Sequence, residues 1–280
     1  MVTARDGRTT IAEASTKLPL RPLRSSISFV PYRTVLLSTA SLLIAFCIWQ
    51  LLSTVFFNPF LIPPPLKVFR TAIPMLGSGE IFADVSISMI RVLVGFITGS
   101  LAGVLMGALL GRIQLLHDLL DPIIELLRYL SPTAMIPIAV IWFGIGEMSK
   151  YFLIFWGTFF IMLVNTTAGV LRTPIARQRA AQCLGASQLE IFAYIIVPSA
   201  VPYIITGMRV AMASAFMSII PAEILAADSG IGYLLQNSSM LLQTDRIFVA
   251  LLTISVLGFL CDRALRLIVD LTLTRFMVPN

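Results

Sequence analysis

Six apolar runs divide this chain, at residues 35–57, 85–110, 122–143, 151–171, 200–225 and 247–269. They constrain the fold more than any other feature, because they decide its solvent. A hydrocarbon layer about 30 Å thick is crossed by about 20 helical residues, and each run is of that length. None alternates polar and apolar residues as a membrane barrel strand does, and a helix satisfies its own backbone hydrogen bonds in lipid. The sequence therefore predicts an all-α integral membrane protein with six transmembrane helices, the third broken by Pro132 and Pro137. Composition agrees: only 12% of the residues are charged, where a soluble domain carries about 25%.

The net charge of +6 fits the same picture. With the N-terminus inside, the inner segments hold Arg112, Arg172, Arg177, Arg179, Arg263, Arg266, Arg275 and the basic residues of the N-terminal stretch. The outer segments hold only Lys67, Arg70, Lys150 and Arg246. Cytoplasmic loops carry the excess of Lys and Arg, so both termini are expected in the cytoplasm. The expected organisation is a tail at 1–34, a membrane domain at 35–271 and a second tail at 272–280. Residues 1–34 lack the early apolar core of a cleavable signal. Positive charge placed this way reports membrane orientation, and no nucleic-acid partner is expected.

Catalytic constellations are missing. Cys47, Cys183 and Cys261 fall in separate segments without metal-ligand spacing, and the one histidine is His117. There is no HExxH, GxxxxGK[ST] or GxSxG pattern. The expectation is a non-enzyme with no metal site and no ATP hydrolysis of its own. Ionisable residues inside the runs are few: Arg91, Glu125, Arg128, Arg209 and Glu223. Such groups are costly in lipid and face protein or water. Glu125 and Arg128, three apart, share a helical face. In the second run Gly95, Gly99, Gly103, Gly107 and Gly111 recur at every fourth residue, a stripe along which another helix can approach closely. The proline-rich stretch PFLIPPPLKVF at 59–69 favours an extended connection, leading into a short amphipathic helix at 66–75.

One segment is too polar to span a bilayer and too patterned for a slack loop: RAAQCLGASQLEIFAYIIVP, residues 179–198. It resembles the cytoplasmic "EAA" loop in membrane subunits of binding-protein-dependent ABC importers. That family's pattern is E-A-A, three residues, G, nine residues, I-x-L-P. Ala180, Ala181, Gly185, Ile195 and Pro198 match it; Arg179 stands in place of the glutamate and Val197 in place of the leucine. ISMIRVLVGF (87–96), DPIIELLRYLSPTAMIPIAVIWFGIGEMSK (121–150) and PAEILAADSGIGYLLQ (221–236) also resemble this family, in its permeases for taurine, aliphatic sulfonates, nitrate and bicarbonate. The RAAQ-x-LGAS and DPIIEL runs look most like taurine permeases.

The resemblance implies a type I ABC importer permease-like fold in the bacterial inner membrane, with a coupling-helix loop at about 173–198. It implies that Ala180, Ala181, Gly185, Ala186, Ser187, Ile195 and Pro198 engage a separate ATPase. The implied partners are a second permease copy, two cytoplasmic ATPase subunits carrying ATP and Mg, and a periplasmic or lipid-anchored solute-binding protein. The implied solute is a small anion or zwitterion: taurine or another sulfonate first, nitrate or bicarbonate next. Candidates for lining the path, from the third and fifth runs, are Ser131, Thr133, Met135, Arg209, Met212, Ser214, Met217 and Glu223. Gly185 is expected to adopt a backbone conformation other residues avoid, and Pro198 to start the next helix. The residues by themselves also admit an ion-coupled secondary transporter. An intramembrane enzyme is disfavoured by the missing nucleophile and base.

Overall fold

The computed structural model describes residues 32–272, and every regular element among them is helical. The expected tails at 1–34 and 272–280 lie almost wholly outside the described residues. Residues up to Ile48 form one unit and the chain from Trp49 another, a division that falls within the first apolar run. Helix α1 (Tyr32–Leu51) continues through a π-helical turn, Leu52–Phe56. In the first unit, Leu42, Leu43 and Ile44 are exposed apolar side chains on this helix. The second unit contains α2 (Pro65–Gly77), α3 (Glu80–Arg112), α4 (Gln114–Arg128), α5 (Ile136–Phe143), α6 (Glu147–Leu171), α7 (Ile175–Cys183), α8 (Gln188–Ile191), α9 (Val197–Ala226), α10 (Ile231–Met240) and α11 (Thr244–Thr272).

Among the described residues, five helical runs are long and apolar enough to cross a membrane: Thr39–Phe56, α3, α6, Gln188–Ile224 and α11. They contain five of the six expected spans. The remaining run, at 122–143, is divided into the end of α4 and the whole of α5. Pro132 has no N–H to donate, and Pro137 sits in the first turn of α5, where the missing donor costs little. The Trp156 indole N–H donates to the Leu130 carbonyl at 3.0 Å, taking up a backbone acceptor freed by the break.

Helix α6 lies at the centre and is the most enclosed of the long helices. Its contact with α3 is a ladder against a ladder. A Cβ on Gly95 would lie 2.5 Å from Ile154 Cβ, on Gly103 2.6 Å from Met162 Cβ, and on Gly111 2.5 Å from Val170 Cβ. Gly99 meets Thr158 and Gly107 meets Thr166 in the same way. Both rows repeat every fourth residue and rise together, so α3 and α6 run parallel. The α4–α5 segment between them therefore returns across the layer, although α5 alone covers only about 12 Å. A sixth crossing exists, built from a broken helix. On its other side α6 packs against α9, and one continuous core joins Val92, Phe96, Ile154, Met162, Ala215, Ile219 and Val249.

Candidate functional site

At one end of this bundle lies the segment 173–198. Helix α7 ends in a pair of reciprocal bonds: Gly185 N–H donates to Gln182 O at 3.0 Å and Ala186 N–H to Ala181 O at 3.0 Å. This termination needs a left-handed residue at its centre, and Gly185 has φ +85°. The next helix begins at once. Ser187 caps α8 by accepting from Glu190 N–H at 3.3 Å, and the Glu190 carboxylate accepts from Ser187 N–H at 2.7 Å. The sequence Leu-Gly-Ala-Ser thus ends one helix and starts another with no spare residue.

The loop is pinned to the bundle. Ile191, Ile196 and Ala200 are buried with Val170 at the end of α6. Arg112, the last residue of α3, stacks over the Phe192 ring at 4.9 Å and donates to Gln188 O at 3.2 Å. Helix α8 is thereby tied to the ends of α3 and α6. Pro198 was expected to start a new helix, but no break precedes it. It sits in the first turn of α9, which continues the run begun at Gln188. The intervening residues Phe192–Ile196 widen into a π turn, with Val197 N–H bonded to Phe192 O. One extra residue in that turn accommodates a proline that cannot donate to the preceding turn.

Of the residues expected to meet an ATPase, Ala180, Gly185 and Ser187 are exposed, and Ala181, Ala186, Ile195 and Pro198 are half-buried. Sequence reasoning passed over the most prominent one. Leu184 is 89% exposed at the tip of the loop, and Leu189 is 75% exposed beside it. An apolar residue directly before a helix-ending glycine was the available signal.

The path candidates separate onto different faces. Ser131 and Ser214 come together around a cavity of about 420 Å³, bounded also by Arg128, Trp156 and Asn165. Ser214 Oγ donates to Gly157 O at 2.9 Å there. Thr133 is exposed in the α4–α5 break, whereas Met135 is buried against Leu153 and Ala222. Arg209, Met212 and Met217 lie on another side of α9, in a groove shared with α11. Arg209 Nε is 3.4 Å from Asp262 Oδ1, so its partner is a neighbouring helix. Arg209→Ala is accordingly expected to retain wild-type solute uptake per molecule in membranes. A loss of uptake at equal expression would return Arg209 to the path.

Glu223 lines no surface; its side chain is fully enclosed near the end of α9 far from the 173–198 segment. Arg91 Nη1 donates to it at 2.8 Å, Ser88 Oγ at 2.7 Å and Gly232 N–H at 2.8 Å. Arg91 also clamps Glu147 through Nε at 2.7 Å and Nη2 at 2.6 Å, and Lys150 Nζ reaches the same carboxylate at 2.8 Å. The stretch Ser-Gly-Ile-Gly wraps this carboxylate. Gly230 has φ +113°, and a Cβ on it would lie 2.5 Å from Glu223 Oε1. Glu147 and Lys150 were not anticipated as partners of the span residues. Among the described residues, no group of three or more His, Cys, Asp or Glu side chains is placed to hold a metal ion.

The family described as "Binding-protein-dependent transport system inner membrane component" matches residues 99–272. The chain belongs to that family. Its relatives include the taurine transport system permease protein TauC of Escherichia coli (strain K12), 32% identical over 84% of this chain and 87% of TauC. The putative aliphatic sulfonates transport permease protein SsuC of the same organism is 38% identical over 79% of this chain and 84% of SsuC. The nitrate import permease protein NrtB of Synechocystis sp. (strain PCC 6803) is 30% identical over 89% and 94%. Among solved structures, a chain of the inward-facing MetNI methionine ABC transporter matches with a TM-score of 0.47 at 17% identity, over 64% of this chain and 92% of that one. The segment 173–198, the glycine ladder from Gly99 onward and Glu223 all fall within the matched family region.

Proposed function

We propose that this family member is the membrane-spanning subunit of an ATP-driven importer for a small anion or zwitterion, with taurine or another sulfonate as the leading solute class and nitrate or bicarbonate next. The names of the relatives supply the solute class. The observation that carries the ATP-driven reading is the back-to-back capped segment around Gly185, an exposed knob tied to the ends of α3 and α6. In this reading a second copy completes the path in the bacterial inner membrane, with both termini in the cytoplasm. Two ATPase subunits, binding ATP and Mg themselves, seat on the segments around Leu184, and a periplasmic or lipid-anchored binding protein delivers solute to the far side. Closure of the ATPase pair moves the segments as rigid bodies, and the bundle switches its opening because the two states bind partner and solute differently. Ser131 and Ser214, with Arg128 and Asn165 nearby, are the contacts we assign to the path.

The test is co-purification from mild detergent, with ATP-dependent uptake measured in vesicles. Wild type is expected to bring down a stoichiometric ATPase. Gly185→Glu places a charged side chain on a backbone that L-residues adopt at a cost of about 1–2 kcal/mol. It is expected to lose the ATPase while the membrane bundle stays folded, since a Cβ at this position would meet no atom within 4 Å beyond its chain neighbours. Uptake that follows an ion gradient and proceeds with no ATPase would instead establish a secondary transporter.

A further inference from the structure

The segment around Gly185 has an inner side as well as a tip, and Ala180, Ala181 and Leu184, proposed above to meet the ATPase, border that side too. Between α7, the end of α6 and the first half of α9 opens a groove of about 1090 Å³, lined in part by Arg172, Arg177, Ser199, Tyr203 and Thr206. Its lining includes no carboxylate. Arg91, Arg128, Lys150, Arg209, Arg246 and Arg266 are each within 4.0 Å of a carboxylate. Among the described residues, Arg172 and Arg177 have no such ion pair, as is also true of Lys67, Arg70, Arg112, Arg179 and Arg263, but these two share the groove; Arg172 leans over the Tyr203 ring, at 5.7 Å. Both arginines are exposed. Thr206 is exposed as well, and Ser199 and Tyr203 are half-buried.

The groove lies along the same side of α9 as the cavity at Ser214. Ser199, Tyr203 and Thr206 face the groove, and Val210 and Ser214 face the smaller cavity. Steps of three and four residues keep them on one side of the helix, over about 22 Å of its length. Hydroxyls thus lead from Ser214, which donates to Gly157 O, and Thr206, which donates to Pro202 O at 2.9 Å, towards two cations that no carboxylate among the described residues neutralises. Unpaired cations in a half-enclosed groove concentrate anions locally.

We infer that this groove is an anion vestibule, in which a small free sulfonate is held by Arg172 and Arg177 with the hydroxyls of Ser199 and Tyr203 as donors and Thr206 beside them. Its identification as the cytoplasmic exit of the solute path rests on the importer reading; its preference for anions does not. The groove is far larger than such a solute and open to solvent, so binding is weak and the ion leaves readily.

The experiment uses the full chain with Cys47, Cys183 and Cys261 changed to Ser and Thr206→Cys added, in phosphatidylcholine nanodiscs. Two thiol reagents of similar size are compared, a methanethiosulfonate bearing a sulfonate and one bearing a trimethylammonium group. Each rate is divided by that reagent's rate with 2-mercaptoethanol. The anionic reagent is expected to be favoured by about tenfold. The preference should vanish in Arg172→Gln/Arg177→Gln, and millimolar ethanesulfonate should slow the labelling. Equal rates, a cationic preference, or a preference that survives the double substitution would overturn the site. So would labelling indifferent to ethanesulfonate but blocked when phosphatidylglycerol is added to the nanodiscs, which would make the occupant a lipid headgroup. Uptake assays report separately on the importer reading: an anionic preference with no ATP-dependent sulfonate import would leave the vestibule standing and remove its role as an exit.

Discussion

Glu223→Ala should abolish recovery of a folded chain. The substitution takes one of two carboxylates from the buried Arg91 and removes the acceptor for Ser88 Oγ and Gly232 N–H. It also empties the space that Ser229 to Gly232 wraps. Removing one member of a buried ion pair costs about 3–5 kcal/mol, against a total stability of about 5–15 kcal/mol for an ordinary domain. Helices α3 and α9 and the start of α10 meet at this carboxylate, and Arg91 ties the cluster to Glu147 on α6, so the loss spreads to all of them. Glu223→Gln keeps an acceptor for Gly232 and should show an intermediate loss. The measurement is the monodisperse fraction in detergent size exclusion together with the melting temperature. Wild-type values for Glu223→Ala would show that the carboxylate does not hold the bundle, and a role in the path would then merit renewed test.

The second large effect is expected at Gly103. A side chain there meets Met162 Cβ at 2.6 Å, Phe159 O at 2.7 Å and Leu163 N at 3.0 Å. Two of these three atoms are backbone, so rotamer changes cannot make room. Overpacking of a close-packed interior costs about 1–3 kcal/mol even where neighbours can shift. For Gly103→Leu the helices must separate, and the whole Gly95–Gly111 register is lost with them. The expected result is aggregation on extraction, or a fall in melting temperature well beyond that of a control. Gly77→Ala serves as the control, because nothing lies within 4 Å of that position, and alanine is the better helix former. If Gly103→Leu melts like Gly77→Ala, the ladder is not a contact that the folded chain depends on.

These two sites show what kind of information each level carries. The glycine ladder was legible because a four-residue period is a local property of one helix. Its partner row, from Ile154 to Val170, has no distinctive residue type and became visible only when α6 was laid against it. The Glu223 cluster joins residues 132 positions apart and, through Glu147, 56 positions apart. No local pattern pairs such residues. The path candidates failed to converge for the same reason. Arg209 and Ser214 are close in sequence, but one turns to Asp262 on α11 and the other to Gly157 on α6.

The sequence by itself determined the solvent, the helical class, five long spans with a broken sixth, and the unusual backbone conformation of Gly185. Each of these follows from the length of apolar runs or from the positions of proline and glycine. Only the tertiary structure decided that α3 and α6 run parallel, that Glu223 is enclosed against Arg91, and that Arg172 and Arg177 share a groove with no counter-charge among the described residues. Local dihedral preferences and hydrogen bonds act over a turn or two of chain. Which side chain fills a groove, or neutralises a buried charge, depends on distances through space that the order of residues does not state.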